Sequence, residues 1–426
     1  MRDELKKTGE IIQKLCKADD FTLIVSHNQD IHTRFAQNGI TQHIDGKNLQ
    51  IQLEVAFDNK TGSASVNQLD EDSLKNLVEK AEHIALLNKP DPEYVPSEKA
   101  HPLRDLIKPS AATLELQVEQ LVDGIEKCIK NAQAKEARAS GISERSIVKK
   151  YMLTKNGFEG YDENASFAHS MTIKKEGIET KVSGSVTDYA QFSMEQMIEQ
   201  LNNQFDSLKE PQTMEKGKLA VIMRPQAVVQ WLYYLIWTFQ MREADEGTNP
   251  YTDQMGKQFF GENFSLRSVV SNPKISAPLF NNNGIPTKDI TWIENGIIKN
   301  MQADRYYARQ KEIEPASIFN IYIEGGNTSE EEMLQKAGRG VILNNLWYIR
   351  PIDMKKGEWT GLTRDGVLYF ENGKIQHAVT NFRWNEILHD ATKRILALGP
   401  MEQVEHNAFV PSMLIDNFNF VDVTTF

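Results

Sequence analysis

The chain has 426 residues, 40% of them hydrophobic and 25% charged, a balance that argues against disordered, collagen-like and membrane classes. At about 150 residues per domain it is long enough for two or three domains. Lysine plus arginine number 48 against 59 acids, a net charge of −11, which repels phosphate backbones and argues against a protein that coats nucleic acid. The short basic pairs Lys149-Lys150 and Lys174-Lys175 read as solvated faces.

Cys16 and Cys128 are the two cysteines, too few for a disulfide framework and not spaced as a metal or redox pair. The first residues carry no apolar stretch of the secretory kind. The longest apolar run, Ala227 to Phe239, is too short to span a bilayer. A cytoplasmic protein is expected.

In chain order, Glu4 to Lys17 is amphipathic, and Phe21 to Val25 reads as a short buried strand. The Asn38-Gly39 pair marks a hairpin turn before the alternating run Leu49 to Val55, and Asp58 to Gly62 marks another before Ser63 to Asn67. Leu74, Leu77, Val78, Ala81, Ile84 and Ala85 line one helical face, and a loop with Pro90, Pro92 and Pro96 follows. A helix is expected from Ser110 to about Lys135, strands around Ser146–Thr154, Phe167–Lys174 and Lys181–Thr187, and a helix capped by Ser193. The polar segment Glu210 to Lys218 divides residues 1–212, an N-terminal α/β domain, from residues 213–426, a strand-rich C-terminal domain. Trp292 to Ile298 and Tyr369 to Ile375 are two aromatic-flanked Asn-Gly hairpins that share turn chemistry.

Few residues carry recognisable chemistry. No two of the nine histidines lie three or four positions apart, which leaves no HExxH-type zinc helix. His27 and His32 flank a segment imaginable as a metal loop, although zinc needs three or four convergent ligands. There is no nucleophile elbow, Walker loop or dinucleotide fingerprint. Gly325-Gly326 and Gly338-Arg339-Gly340 suit turns or close backbone approach, the first pair ending a strand-like run from Ile318 to Glu324. Asp353, Glu358, Asp365 and Glu371 would need burial to work as an acid/base pair. The most distinctive element is a helix over 226–243, where Val228, Trp231, Leu232, Leu235 and Phe239 form an apolar stripe. Tyr233, Tyr234, Ile236 and Trp237 extend it nearly all round. It reads as a core or interface helix, with substrate contact as the alternative.

Several stretches together resemble the TldD/PmbA family, also called modulator of DNA gyrase, and within it the PmbA or TldE-like branch. They are Arg34 to Ile40, Gly62 to Ser65, Met255 to Phe260, Asn283 to Pro286, Trp292 to Asn300, Tyr307 to Arg309, Trp359 to Gly361, Arg364 to Gly366, Phe370 to Gly373 and Pro411 to Leu414. The resemblance implies a two-domain α+β fold and a role in an intracellular metalloprotease acting on unfolded peptides. It also implies a TldD-like partner subunit that binds zinc through His-Glu-x-x-x-His and a later cysteine. In the ungapped register those three positions fall here on Leu232, Tyr233 and Trp237, and no cysteine follows Leu398. Leucine and tryptophan offer zinc no ligand, and tyrosine is no carboxylate base. The expected function is therefore the non-metal subunit, without catalytic, cofactor or metal residues of its own and with zinc in the partner. Trp231, Tyr234, Gly361 and Arg364 are candidates for a peptide cleft or interface. The alternatives are a stand-alone homodimer that binds peptides without catalysis and, ranked last, an independent hydrolase using carboxylates or His377 and His389. The acidic charge argues against direct DNA binding despite the family's gyrase name.

Overall fold

A computed structural model describes residues 2–208 and 211–424. The polar segment expected from Glu210 thus begins outside the described residues. The N-terminal half is built on one antiparallel sheet in the order β3-β2-β1-β4-β5-β6. Its strands are β1 (Asp20–Ala36), β2 (Gly39–Phe57), β3 (Lys60–Val66), β4 (Arg138–Thr154), β5 (Glu159–Lys175) and β6 (Ile178–Val186). Helices α1 (Arg2–Leu15), α2 (Glu71–Leu87), α3 (Ala111–Leu114), α4 (Val118–Ala134) and α5 (Met194–Ser207) accompany it.

One sheet face carries these helices. Leu5 and Ile12 of α1 and Leu74, Leu77 and Ala81 of α2 pack on Phe21, Leu23, Val25, Leu53 and Val55. Ile125 and Cys128 of α4 and Leu201 and Phe205 of α5 pack further along, on Phe35, Ala139, Met171 and Ile173. Gly62 is the contact point for α2: a Cβ there would lie 2.3 Å from the Ala85 amide and 2.5 Å from the Ala81 carbonyl. Only a residue without a side chain lets helix and strand meet so closely. On the other face, Ile24 and Met152 meet Phe158 and, from the second half, Leu279 and Phe280.

The second half holds an eleven-stranded sheet. Its strands are β7 (Gly217–Met223), β8 (Leu266–Ser268), β9 (Ile290–Glu294), β10 (Ile297–Ile298), β11 (Ile321–Ile323), β12 (Arg339–Asp353), β13 (Glu358–Glu371), β14 (Lys374–Val379), β15 (Phe382–Ile387), β16 (Ile395–Glu405) and β17 (Ala408–Val423). Because β7 pairs with both β12 and β17, the strands β7, β12, β13, β15 and β17 close on themselves as a small barrel. Helices α6 (Pro225–Trp237), α7 (Met241–Asp245), α8 (Arg305–Gln310), α9 (Glu330–Ala337) and α10 (Leu388–Thr392) surround it. The fold is α+β.

Several expectations are corrected in detail. The helix over 226–243 ends at Trp237. There the Thr238 hydroxyl donates to the Leu235 carbonyl, while Asn249 Nδ2 caps the Thr238 and Gln240 carbonyls at 3.0 and 2.8 Å. The expected Ser110–Lys135 helix is two helices, because Gln117 starts α4 afresh with a capping box to Gln120. β1, β4 and β5 each run 17 residues, far beyond their apolar segments. At the first hairpin the positive φ angles fall on Gln37 and Asn38, one residue earlier than an Asn-Gly turn, whereas Asn295-Gly296 and Asn372-Gly373 take them as expected. The strand-like run from Ile318 shrinks to Ile321–Ile323.

Behind α4, His169 is buried with its Nδ1 2.8 Å from Ser143 Oγ and its Nε2 3.7 Å from the Cys128 sulfur. Burial pushes its pKa down to about 4. The unfolded chain, with histidine near its ordinary 6.5, therefore binds the extra proton between those values. The stabilisation from keeping this ring neutral is complete above pH 6.5 and lost as pH falls toward 4, on the order of 3 kcal/mol from this site. Urea unfolding at pH 7 and pH 4.5 should show that loss in the native sequence and a flatter dependence in His169→Gln; equal slopes would exclude His169 as the cause.

Candidate functional site

Helix α6 is held at both ends. Pro225 occupies its first turn, where a missing N–H costs nothing. Arg224, just before it, makes a bidentate pair with Glu330 of α9 at 2.8 Å on both oxygens and donates to Asn344 Oδ1 at 2.8 Å. Burial raises the Glu330 pKa, but the hydrogen bonds and charge of Arg224 outweigh it and hold the carboxyl below its ordinary range. Midway, the Gln230 side chain accepts from the Leu346 amide of β12 at 2.6 Å. At the far end Gln302 Nε2 donates to the Ile236 carbonyl at 3.0 Å.

The residues singled out on this helix separate by face. Trp231 and Leu232 are fully buried in the main core with Val228, Leu235 and Phe239. Trp231 is therefore a packing residue and not part of a cleft surface, and Leu232, at the first histidine position, points into the core. Tyr233 and Trp237, four residues apart and hence on one helical face, are 40% and 58% exposed. The Tyr233 hydroxyl donates to Glu405 of β16. Burial, together with that carboxylate, pushes its pKa above the usual phenol value. Tyr234 and Trp237 both lie against buried Trp359 of β13, with ring centroids 4.9 and 5.8 Å apart.

Strands β12 and β13 carry a second, separate exposed aromatic group. Trp347, Tyr348 and Ile352 of β12 are about half exposed. Arg364 stacks over the Trp347 ring and Arg350 over the Tyr348 ring, each at 4.3 Å. Arg364 thus belongs to an exposed face. Gly361 does not: it is buried, and a Cβ there would lie 2.6 Å from the Trp384 indole, so its role is packing. Sequence reading missed Trp347, Tyr348 and Ile352; the signal available was their clustering in a strand segment with apolar residues on both faces.

A second feature is a cleft of about 950 Å³ between the halves. Its walls are Lys181 to Val186 of β6 and one side of α5, facing Arg224 to Gln226, Ser329, Glu330, Pro400 and Glu402 to Val404. Its lining is rich in uncharged amides and hydroxyls, including Gln196, Gln200, Asn203, Gln226, Asn345 and Gln403. Among the described residues, Gln403 Nε2 is buried without a hydrogen-bond partner. Away from the cleft the halves are clasped by ion pairs of Arg242 with Glu93 and Arg305 with Glu98.

The remaining candidates do not converge. His27 and His32 lie on the continuous strand β1, five residues apart and so on opposite faces, which removes the imagined metal loop. His377 lies against Tyr369, and His389 is buried against Phe259, 4.4 Å between ring centroids. Asp365 faces Lys181 at 3.7 Å, Asp353 and Glu358 oppose each other across the start of the β12–β13 pair, and Glu371 sits at the far end of β13. Gly325 and Gly326 approach the Gly399 and Leu398 carbonyls too closely for any side chain. Among the described residues no three His, Cys, Asp or Glu side chains group as metal ligands. The zinc that the family resemblance implies does not fit the positions that would hold it, since Leu232 is buried and neither Leu232 nor Trp237 offers a ligand.

Comparison with known proteins gives a consistent result. Residues 22–85 match the model of PmbA/TldA metallopeptidase domain 1, and residues 216–422 that of the PmbA/TldA metallopeptidase C-terminal domain. A metalloprotease PmbA homolog of Haemophilus influenzae is 22% identical over 400 residues, covering 85% of this chain and 84% of its own. The crystal structure of TldE from Thermococcus kodakarensis superposes with a TM-score of 0.87 at 19% identity, over 98% of this chain and all of that one. A candidate modulator of DNA gyrase from Thermotoga maritima gives 0.85 at 18% identity over the same shares. At such identities the structural likeness speaks for the fold alone, and the two domain models, which between them match more than half of the chain, place it in the PmbA/TldD family.

Proposed function

We propose that this chain is the non-metal, TldE-like subunit of a TldD-type metallopeptidase acting on unfolded peptides, with zinc carried by a TldD-like partner. The observation that carries this reading is the outward face of α6. Where the zinc-binding branch would place Glu and the second His, this chain exposes Tyr233 and Trp237. An exposed pair of large aromatic side chains on one helical face has the composition of a protein–protein interface. Such a subunit closes a chamber whose metal lies on the other side, and it has no need of ligands of its own.

The test is co-expression with a TldD-like subunit, followed by metal analysis and hydrolysis of an unstructured peptide. Zinc and activity are expected in the co-purified complex and absent from the isolated chain. Stoichiometric zinc in the isolated chain, or an inactive verified complex with its cognate partner, would overturn the reading.

The amide-lined cleft favours a second reading, a stand-alone homodimer that binds extended peptides without cleaving them. Amide side chains both donate and accept, as a peptide main chain requires. Affinity of the isolated chain for an unstructured peptide, lost on Gln226→Ala with Gln403→Ala, separates the two readings.

A further inference from the structure

Three separate segments enclose a cavity of about 290 Å³ that shares no lining residue with the amide-lined cleft or with α6. They are the linker carrying Glu98 and His101 from the first half, the loop leading into β9 and the segment leading into β11. Ile285, Pro286, Ile290, Pro315, Ala316 and Phe319 form its apolar wall, and all six are half-buried, so this surface still meets water. The wall is fixed before any ligand arrives. Ala316 exchanges both backbone hydrogen bonds with Ala303, at 2.9 and 3.1 Å, and Asn281 Oδ1 accepts from the Asn283 and Ile285 amides at 2.9 and 3.1 Å. A pre-formed apolar concavity with a few polar groups at its rim is the general form of a small-molecule site.

The charged groups at the rim neutralise one another. Lys288 pairs with Glu314, while Glu98 receives Arg305 on Oε1 and His101 Nε2 on Oε2, each at 2.9 Å. With that carboxylate as acceptor, the neutral imidazole carries its hydrogen on Nε2 and presents Nδ1 as an acceptor. Among the described residues His101 Nδ1 has no hydrogen-bond partner. We propose that the cavity binds a small neutral phenol, its ring against the apolar wall and its hydroxyl donating to His101 Nδ1. The volume lies at the lower end for ligand pockets, enough for one ring and too little for a length of peptide. The rim excludes ions, because a carboxylate would lie beside Glu98 and Glu314 with no unpaired cation to meet it, and an ammonium group finds both carboxylates already paired. A plain hydrocarbon fills the wall but leaves Nδ1 unmatched.

The proposal rests on neither the zinc-partner reading nor the peptide reading, because its residues belong to neither surface. Ligand-observed NMR and calorimetry on the isolated full chain, at about pH 8 where an ordinary histidine is neutral, compare p-cresol, toluene and p-toluate. p-Cresol is expected to bind about 3- to 10-fold more tightly than toluene, the net worth of one hydrogen bond, and p-toluate not at all. His101→Ala, at an exposed position, should bring p-cresol down to the affinity of toluene and leave toluene unchanged. Ala316→Phe, which puts a ring into the cavity, should abolish binding of both, with circular dichroism confirming the fold; should that variant fail to fold, the His101→Ala comparison decides. No binding of p-cresol at about 10 mM, p-toluate bound as tightly as p-cresol, or p-cresol affinity unchanged in His101→Ala would each overturn the proposal. Peptide affinity and partner-dependent hydrolysis are separate measurements, so the failure of either of those readings is distinguishable from the failure of this one.

Discussion

Trp237→Glu is expected to leave the chain folded and to weaken its hold on a TldD-like partner by 100-fold or more. The side chain is 58% exposed and meets Trp359 at a tilt, ring centroids 5.8 Å apart, so its loss removes little from the core. At an interface, tryptophan in an aromatic patch is the residue type that most often dominates binding, about 2–4 kcal/mol on truncation, and a buried unpaired carboxylate adds to the loss. Titration calorimetry with the partner, paired with thermal unfolding of the free chain, separates the two effects. Undiminished affinity would place the partner elsewhere; a large drop in stability would mean that Trp237 belongs to the core.

Trp384→Ala is expected to destabilise the second half strongly, by about 3–5 kcal/mol. Trp384 is fully buried, packs on Phe418 at 5.7 Å and fills the space beside Gly361. Gly361→Val drives a branched side chain into the same indole and should cost about 1–3 kcal/mol or more. Combined, the two changes should cost less than their sum by more than about 1 kcal/mol, because the new side chain occupies the vacated space. Denaturant midpoints of the four proteins measure this; strict additivity would show that the two residues do not share one packing site.

These contrasts show which features of the fold and site can be read in sequence. Turns with an obligatory backbone chemistry were legible, as at Asn295-Gly296 and Asn372-Gly373, and so was the Ser193 cap, whose hydroxyl accepts from the Gln196 amide. Lengths were not. β1 continues through His27 to Thr33 because β2 and β4 pair with it on both sides, a tertiary cause that a short apolar run does not announce. The same holds for the site. Trp231 and Trp237 are the same residue type on one helix, yet one is core and the other surface, and the aromatic content alone could not divide them. The division comes from which side of α6 faces the barrel. Gly361 was legible as a family-like residue, but its reason, the indole of Trp384, lies 23 positions away.

The anchoring of α6 at both ends has an evolutionary consequence. Arg224 with Glu330 and Asn344 at its start, and Asn249 and Gln302 at its end, fix the helix through side chains that none of its outward positions supplies. Residues 233 and 237 add to that anchoring only the Tyr233–Glu405 hydrogen bond and the Trp237–Trp359 contact. A lineage can rewrite that face, exchanging one recognition chemistry for another, without crossing a valley of unfolded intermediates. Scaffold and specificity drift on separate clocks.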